Sequence, residues 1–170
     1  IVCNNNPVNY TDPLELEIEA TSHKVMKTKY RHLALRVTPD NQERWAKKPL
    51  TIKGPDGKYF FTLSAGDASG NLKSDRNRPS DVTTDNRVEG KIQTPKNITE
   101  DQFIGKLLKA DRNYKDNLNY DLSPKVGTDG YNSNSYVSGM LYATGVRGPP
   151  VQVKEYPGYS KHVPKQNFEE

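Results

Sequence analysis

Alternating apolar and polar residues predict short strands in the first half of the chain. Apolar residues alternate with glutamates over residues 14–19, which favours a half-buried strand, although Asp12-Pro13 suits the start of a helix equally well. Residues 30–37 (YRHLALRV) place two leucines and a valine on one face, so His32 projects from the other face of a second strand. Residues 50–52 and 59–63 flank a Gly-Pro-Asp-Gly turn and should pair as an antiparallel hairpin.

A further short strand is predicted at residues 87–93, and after it the apolar residues have the spacing of a helix. Thr99 and Gln102 match a capping box, and the apolar stripe behind them predicts a helix over residues 100–112. A second helix is predicted near residues 133–144, with the following glycine placed for a left-handed cap. These elements indicate an α+β fold in which an antiparallel sheet packs against two main helices.

The remaining segments set the predicted domain organisation. Residues 1–12 are rich in asparagine and are interpreted as a linker, which leaves 13–170 as a single domain. Residues 65–86, rich in Gly, Asp, Ser, Arg and Asn, are predicted to be a loop too long for a simple connection and therefore a candidate functional segment. The tail from residue 151 is expected to run along the surface as strand and coil.

Composition narrows the class of protein. The chain has 170 residues, enough for one buried core, and its start at Ile1 rather than Met leads us to expect a piece of a longer polypeptide. Its sequence has no apolar run of membrane-spanning length, so no membrane anchoring is expected. The single cysteine excludes an internal disulfide and argues against a cysteine-based zinc site. A net charge of +4 mildly favours polyanionic partners.

Few residues are candidates for acid–base chemistry. Among the three histidines, His32 fits best because a strand holds its imidazole in one orientation, although a structural role at the core edge explains it equally well. His23 and His162 are interpreted as surface residues. The segment YNSNSY at residues 131–136 either caps the second helix or holds a nucleophile or an anion at its positive end.

Three segments together resemble a circularly permuted papain-like domain: HLAL at 32–35, YFFTLSAG at 59–66 and NSNSYVSGMLYATG from 132. In that family a histidine precedes a helix that opens with Asn-Cys, so the resemblance assigns the histidine position to His32 and the cysteine position to Ser133. It assigns the third polar residue to the strand after the histidine, first to Thr62 and then to Ser64. Serine in place of cysteine departs from the thiol-protease pattern, because serine forms no thiolate at neutral pH.

The chain also resembles the C-terminal toxin regions of bacterial contact-dependent growth inhibition proteins. Val2-Cys3-Asn4-Asn5 is similar to the VENN motif at which such regions begin, and the segments at 66–82 and 131–145 are more distinctive. The resemblance implies secretion within a large cell-surface protein, action in the cytoplasm of a target cell and neutralisation by a cognate immunity protein. It most often implies nuclease activity on tRNA or DNA, in some relatives with elongation factor Tu as a protein cofactor.

Two hypotheses of function follow. In the first, favoured by the basic charge and the toxin resemblance, the domain is a metal-independent ribonuclease that cleaves tRNA: His32 removes the 2′-OH proton, and Ser133 stabilises the phosphorus centre. The residues assigned to substrate binding are Lys73, Arg76, Arg78, Asn132 and Asn134. In the second, Ser133 and His32 form a hydrolase, transferase or deamidase acting on protein or acyl substrates. No metal site is predicted, although Asp67, Asp75 and Asp81 can still assemble in three dimensions.

Overall fold

The computed structural model describes residues 17–170, which form an α+β fold. Within these residues the strands are β1 Glu17–Lys24, β2 Arg31–Thr38, β3 Ile52–Lys53, β4 Tyr59–Ala68, β5 Asn71–Arg76, β6 Arg87–Lys91 and β7 Leu118–Asn119. They form an antiparallel sheet in the order β6-β1-β2-β4-β5-β7, and β3 pairs with β4 beside this path. The helices are α1 Gln42–Ala46, α2 Glu100–Asn113 and α3 Ser133–Ala143, followed by a 3-10 turn at Lys165–Phe168.

The core lies between one face of the sheet and the two longer helices. Leu33, Leu35 and Val37 of β2 are fully buried in the same apolar cluster as the inner residues of α2 and α3. Because side chains alternate along a strand, His32 points to the opposite face from these residues. The sheet therefore separates the apolar core from the face that carries the imidazole.

The elements with strong local signals are confirmed. β2, the β3–β4 hairpin and β6 lie where the alternation predicts them. The start of α2 has the predicted capping box between Thr99 and Gln102. α3 begins at Ser133, and Gly145 after its end has the left-handed φ of +90° that a C-terminal cap requires.

Other predictions need correction. The loop predicted for 65–86 is wrong over its first half, because β4 continues to Ala68 and turns through residues of positive φ into β5. The tail from residue 151 forms turns rather than a strand, and it is not confined to the surface, since Tyr156 and Val163 are fully buried. The predicted linker, its VENN-like motif and the start of the first predicted strand lie outside the described residues.

Candidate functional site

Two histidines and one aspartate meet on the face of the sheet opposite the apolar core, close to the edge of β2 that the start of α3 reaches. His23 of β1 pairs directly with His32 of β2, and their rings stack with centroids 4.8 Å apart. Asp81, from the loop after β5, approaches both rings: its Oδ1 lies 3.1 Å from His23 Nε2 and 3.3 Å from His32 Nε2. Ser64 of β4 donates a hydrogen bond of 2.6 Å to the other carboxylate oxygen. Side chains from three strands thus converge on a single buried carboxylate, which the loop after β5 supplies.

The ring nitrogens of the two histidines have different surroundings. Both nitrogens of His23 are engaged, because Nδ1 lies 3.2 Å from the carbonyl oxygen of Lys24 and Nε2 bonds to Asp81. His32 is 7% exposed, and its Nε2 faces Asp81 without the alignment of a hydrogen bond. Its Nδ1 has no hydrogen-bond partner within residues 17–170. His32 is therefore the histidine with a ring nitrogen free for a reacting group.

The local environment shifts the pKa values of His23, His32 and Asp81 away from their usual values. Burial lowers the pKa of His32, and the neighbouring Asp81 offsets only part of this effect. The hydrogen bond to Asp81 raises the pKa of His23. Burial alone would raise the pKa of Asp81, but its contacts with the two imidazoles and Ser64 hold it well below the usual range. The arrangement favours a charged carboxylate beside a neutral His32, the form that accepts a proton.

The start of α3 is tied to the segment of β2 that carries His32. β4 pairs with β2 only from Leu35 onward. On the edge of β2 that faces β4, the peptide groups on either side of His32 therefore have no strand partner. Asn134 takes that place: its Oδ1 accepts from the Leu33 amide at 2.9 Å, and its Nδ2 donates to the Arg31 carbonyl at 3.0 Å. Ser133, the first residue of α3 and 6% exposed, is therefore adjacent in sequence to the residue that binds both flanks of His32.

The C-terminal tail fixes this helix start from the other side. The N-cap residue Asn132 accepts hydrogen bonds from the amides of Asn134 and Ser135, and it donates to the Pro157 carbonyl at 2.8 Å. Asn134 donates to the same carbonyl at 3.0 Å. Gly158 packs so closely that an added Cβ would lie 2.5 Å from Asn132 Oδ1. The tail thus holds the two asparagines that flank Ser133.

The predicted substrate-binding residues have separate locations. Lys73 is exposed on β5, and Arg76 forms an ion pair of 2.6 Å with Asp111. Arg78 packs its guanidinium over Gly66, its carbonyl accepts a hydrogen bond of 2.8 Å from the amide of Asp81, and its positive charge lowers the pKa of both imidazoles. The amides of Asn132 and Asn134 are engaged inside the protein, as described above. Substrate binding by these five residues stays a prediction.

The third catalytic residue predicted from the sequence makes no hydrogen bond to the imidazole among the described residues. Thr62 is fully buried opposite Arg36, and its hydroxyl makes no hydrogen bond. Asp81 makes the contact with His32, and the second choice, Ser64, positions Asp81. Of the three acids considered for a metal site, Asp67 and Asp75 are exposed, and Asp81 alone reaches the histidines.

The interpretation of His23 as a surface residue is wrong. Its side chain is 24% exposed and stacks on His32. The strand predicted for residues 14–19 continues to Lys24, and extending the alternation by a few residues would have put His23 in β1. The third histidine, His162, is not part of this pair, and its ring stacks on Tyr142 of α3.

Comparisons give no independent identification. No protein-family model, curated protein or solved structure matches the chain. Within residues 17–170, no helix combines the length and apolar character needed to cross a bilayer.

Proposed function

We propose that this domain is a hydrolase or acyltransferase in which Ser133 is the nucleophile, His32 the general base and Asp81 the residue that orients the base. One observation carries the proposal. Asp81 faces Nε2 of His32, Nδ1 has no partner among the described residues, and Asn134 joins the start of α3 to both peptide groups beside this ring. A nucleophile, a base and an orienting carboxylate are the three roles of a serine-based site.

The proposed reaction has two stages. As Ser133 Oγ bonds to the acyl carbon, its proton moves to Nδ1 of His32. The leaving group takes that proton when its bond to the acyl carbon breaks. Water or another acceptor then attacks the acyl-serine, gives its proton to His32, and releases the acyl group while Ser133 regains a proton. The positive end of α3 favours the negative charge on the acyl oxygen.

A serine needs this arrangement more than a cysteine would. The hydroxyl is not ionised at neutral pH, so it becomes a good nucleophile only as a base removes its proton. A buried, neutral His32 beside a charged carboxylate meets that need. Apo sites often hold such groups slightly out of alignment, and the contact between Asp81 and His32 is consistent with this.

The wider role is proposed from the sequence resemblance. We propose that the domain acts as an antibacterial toxin in the target-cell cytoplasm and that an immunity protein neutralises it in the producing cell. The tRNA-cleaving hypothesis is supported by Arg78, a cation near the histidine pair that suits a phosphate. It is less well supported than acyl chemistry, because acid–base cleavage of RNA uses both a base and an acid, and within the stacked pair both nitrogens of His23 are engaged.

A fluorophosphonate probe tests the acyl-chemistry proposal. Attack by Ser133 Oγ breaks the phosphorus–fluorine bond, releases fluoride and leaves an oxygen–phosphorus bond that peptide mass spectrometry locates. We expect labelling at Ser133, none in Ser133→Ala, and a rate reduced by on the order of 10⁴ or more in His32→Ala. Ser160→Ala, which removes an exposed serine, is the matched control and should label like the wild type.

Two results would overturn the proposal: labelling of the wild type at another serine, or an undiminished rate in a folded His32→Ala protein. RNA from cells expressing the domain decides between the two hypotheses. Intact tRNA is expected for acyl chemistry, whereas shortened tRNA that depends on His32 would favour the ribonuclease.

A further inference from the structure

The contacts around Asp81 have the spacing of a metal-binding site. The Nε2 atoms of His23 and His32 lie 3.1 and 3.3 Å from the same oxygen, and one donor atom from each of the three residues falls within 4.8 Å of the others. Two ligands about 2.05 Å from a tetrahedral zinc ion are separated by about 3.3 Å. Both nitrogen–oxygen distances match that separation, and the partly exposed His23 has room to adjust its ring.

A second, independent observation points to a ligand at this position. Nε2 of His32 is buried, makes no hydrogen bond and is aimed at the carboxylate oxygen. A buried polar atom without a partner costs about 1–3 kcal/mol, so such atoms are uncommon in folded proteins. A cation between the rings and the carboxylate would give this nitrogen a partner and leave Ser64 to hold the other carboxylate oxygen.

We propose that His23, His32 and Asp81 bind one divalent transition-metal ion, and that zinc fits this ligand set best. Two imidazole nitrogens and one carboxylate oxygen are typical zinc ligands, and three protein ligands leave a fourth position open to water or substrate. Arg78 limits the strength of binding, because its positive charge lies near the pair of histidines. The metal takes Nε2 of His32, which leaves the Nδ1 nitrogen protonated and unable to act as a base.

Isothermal titration calorimetry with zinc chloride tests the site directly. The protein is untagged, freed of metal with a chelator, and carries Cys3→Ser so that the single thiol cannot bind zinc. We expect one zinc per chain, at least about 100-fold weaker binding in His23→Gln, and about 10- to 100-fold weaker binding in Ser64→Ala. His162→Gln removes the histidine outside the cluster and should leave the affinity unchanged.

His23 is the ligand chosen for removal because it is the more exposed imidazole, and circular dichroism must show that the variant is folded. Absence of zinc binding to the Cys3→Ser protein would overturn the proposal. So would wild-type affinity in folded His23→Gln, or loss of binding in His162→Gln. The fluorophosphonate reaction requires no metal, so failure of this proposal leaves the outcome of that experiment unaffected.

Discussion

Asn134 makes the connection between α3 and His32, so its removal should weaken both the fold and the site. In Asn134→Ala, the Leu33 amide and the Arg31 carbonyl each lose a hydrogen-bond partner, as does the Pro157 carbonyl. A buried backbone group left unpaired costs about 1–3 kcal/mol, so loss of the two β2 bonds should cost about 2–6 kcal/mol. A domain of this size is typically stable by about 5–15 kcal/mol, so a loss near the lower end of this range leaves the variant folded.

Urea denaturation followed by circular dichroism gives the free energy of unfolding. The control is Asn167→Ala, whose side chain makes a single bond of 3.2 Å to Pro164 and should cost no more than about 1.5 kcal/mol. Fluorophosphonate labelling of Ser133 should slow in the folded Asn134 variant, because the start of α3 loses its attachment to β2. A loss below about 1 kcal/mol together with an unchanged labelling rate would refute the claim that Asn134 positions the site.

The remaining predictions concern the tail, a helix cap and the metal. In thermal unfolding, Gly158→Ala should destabilise the domain more than Gly127→Ala does. Both glycines have positive φ, but of the two only Gly158 would press an added methyl group against Asn132. Equal losses would contradict this packing. Thr99→Ala should lower the free energy of unfolding in urea by about 1 kcal/mol through loss of the N-cap of α2, and no change would argue against the cap. Added zinc should slow fluorophosphonate labelling of Ser133, whereas a constant rate would mean that the metal does not reach His32.

Local signals were enough to predict much of the fold. α2 has a capping box and a regular apolar stripe, and β2 has a clean alternation, so each could be located from its own residues. The tail was harder to predict because its buried Tyr156 and Val163 are held by distant packing rather than by a local repeat. Proline and glycine around them resemble an exposed coil when the sequence is considered alone.

The candidate site was only partly predictable for the same reason. His32 and Ser133 could be named from a strand, a helix start and a resemblance. His23 joins them through the register of β1 on β2, and Asp81 through a loop 58 residues further along the chain from His23. Neither register nor loop path is encoded in a short motif. The resemblance therefore assigns the third polar residue to Thr62 and then to Ser64, whereas Asp81 makes the contact with His32 and Ser64 donates a hydrogen bond to Asp81.

A crystal structure of the domain with a phosphonate bound at Ser133 is the most direct test of the central claim, that His32 serves the nucleophile at the start of α3. We predict that Nδ1 of His32 lies within about 3.2 Å of Ser133 Oγ and that Asp81 is hydrogen-bonded to Nε2 of the same ring. A ring that points away from Ser133, or a side chain lying between the two, would contradict it.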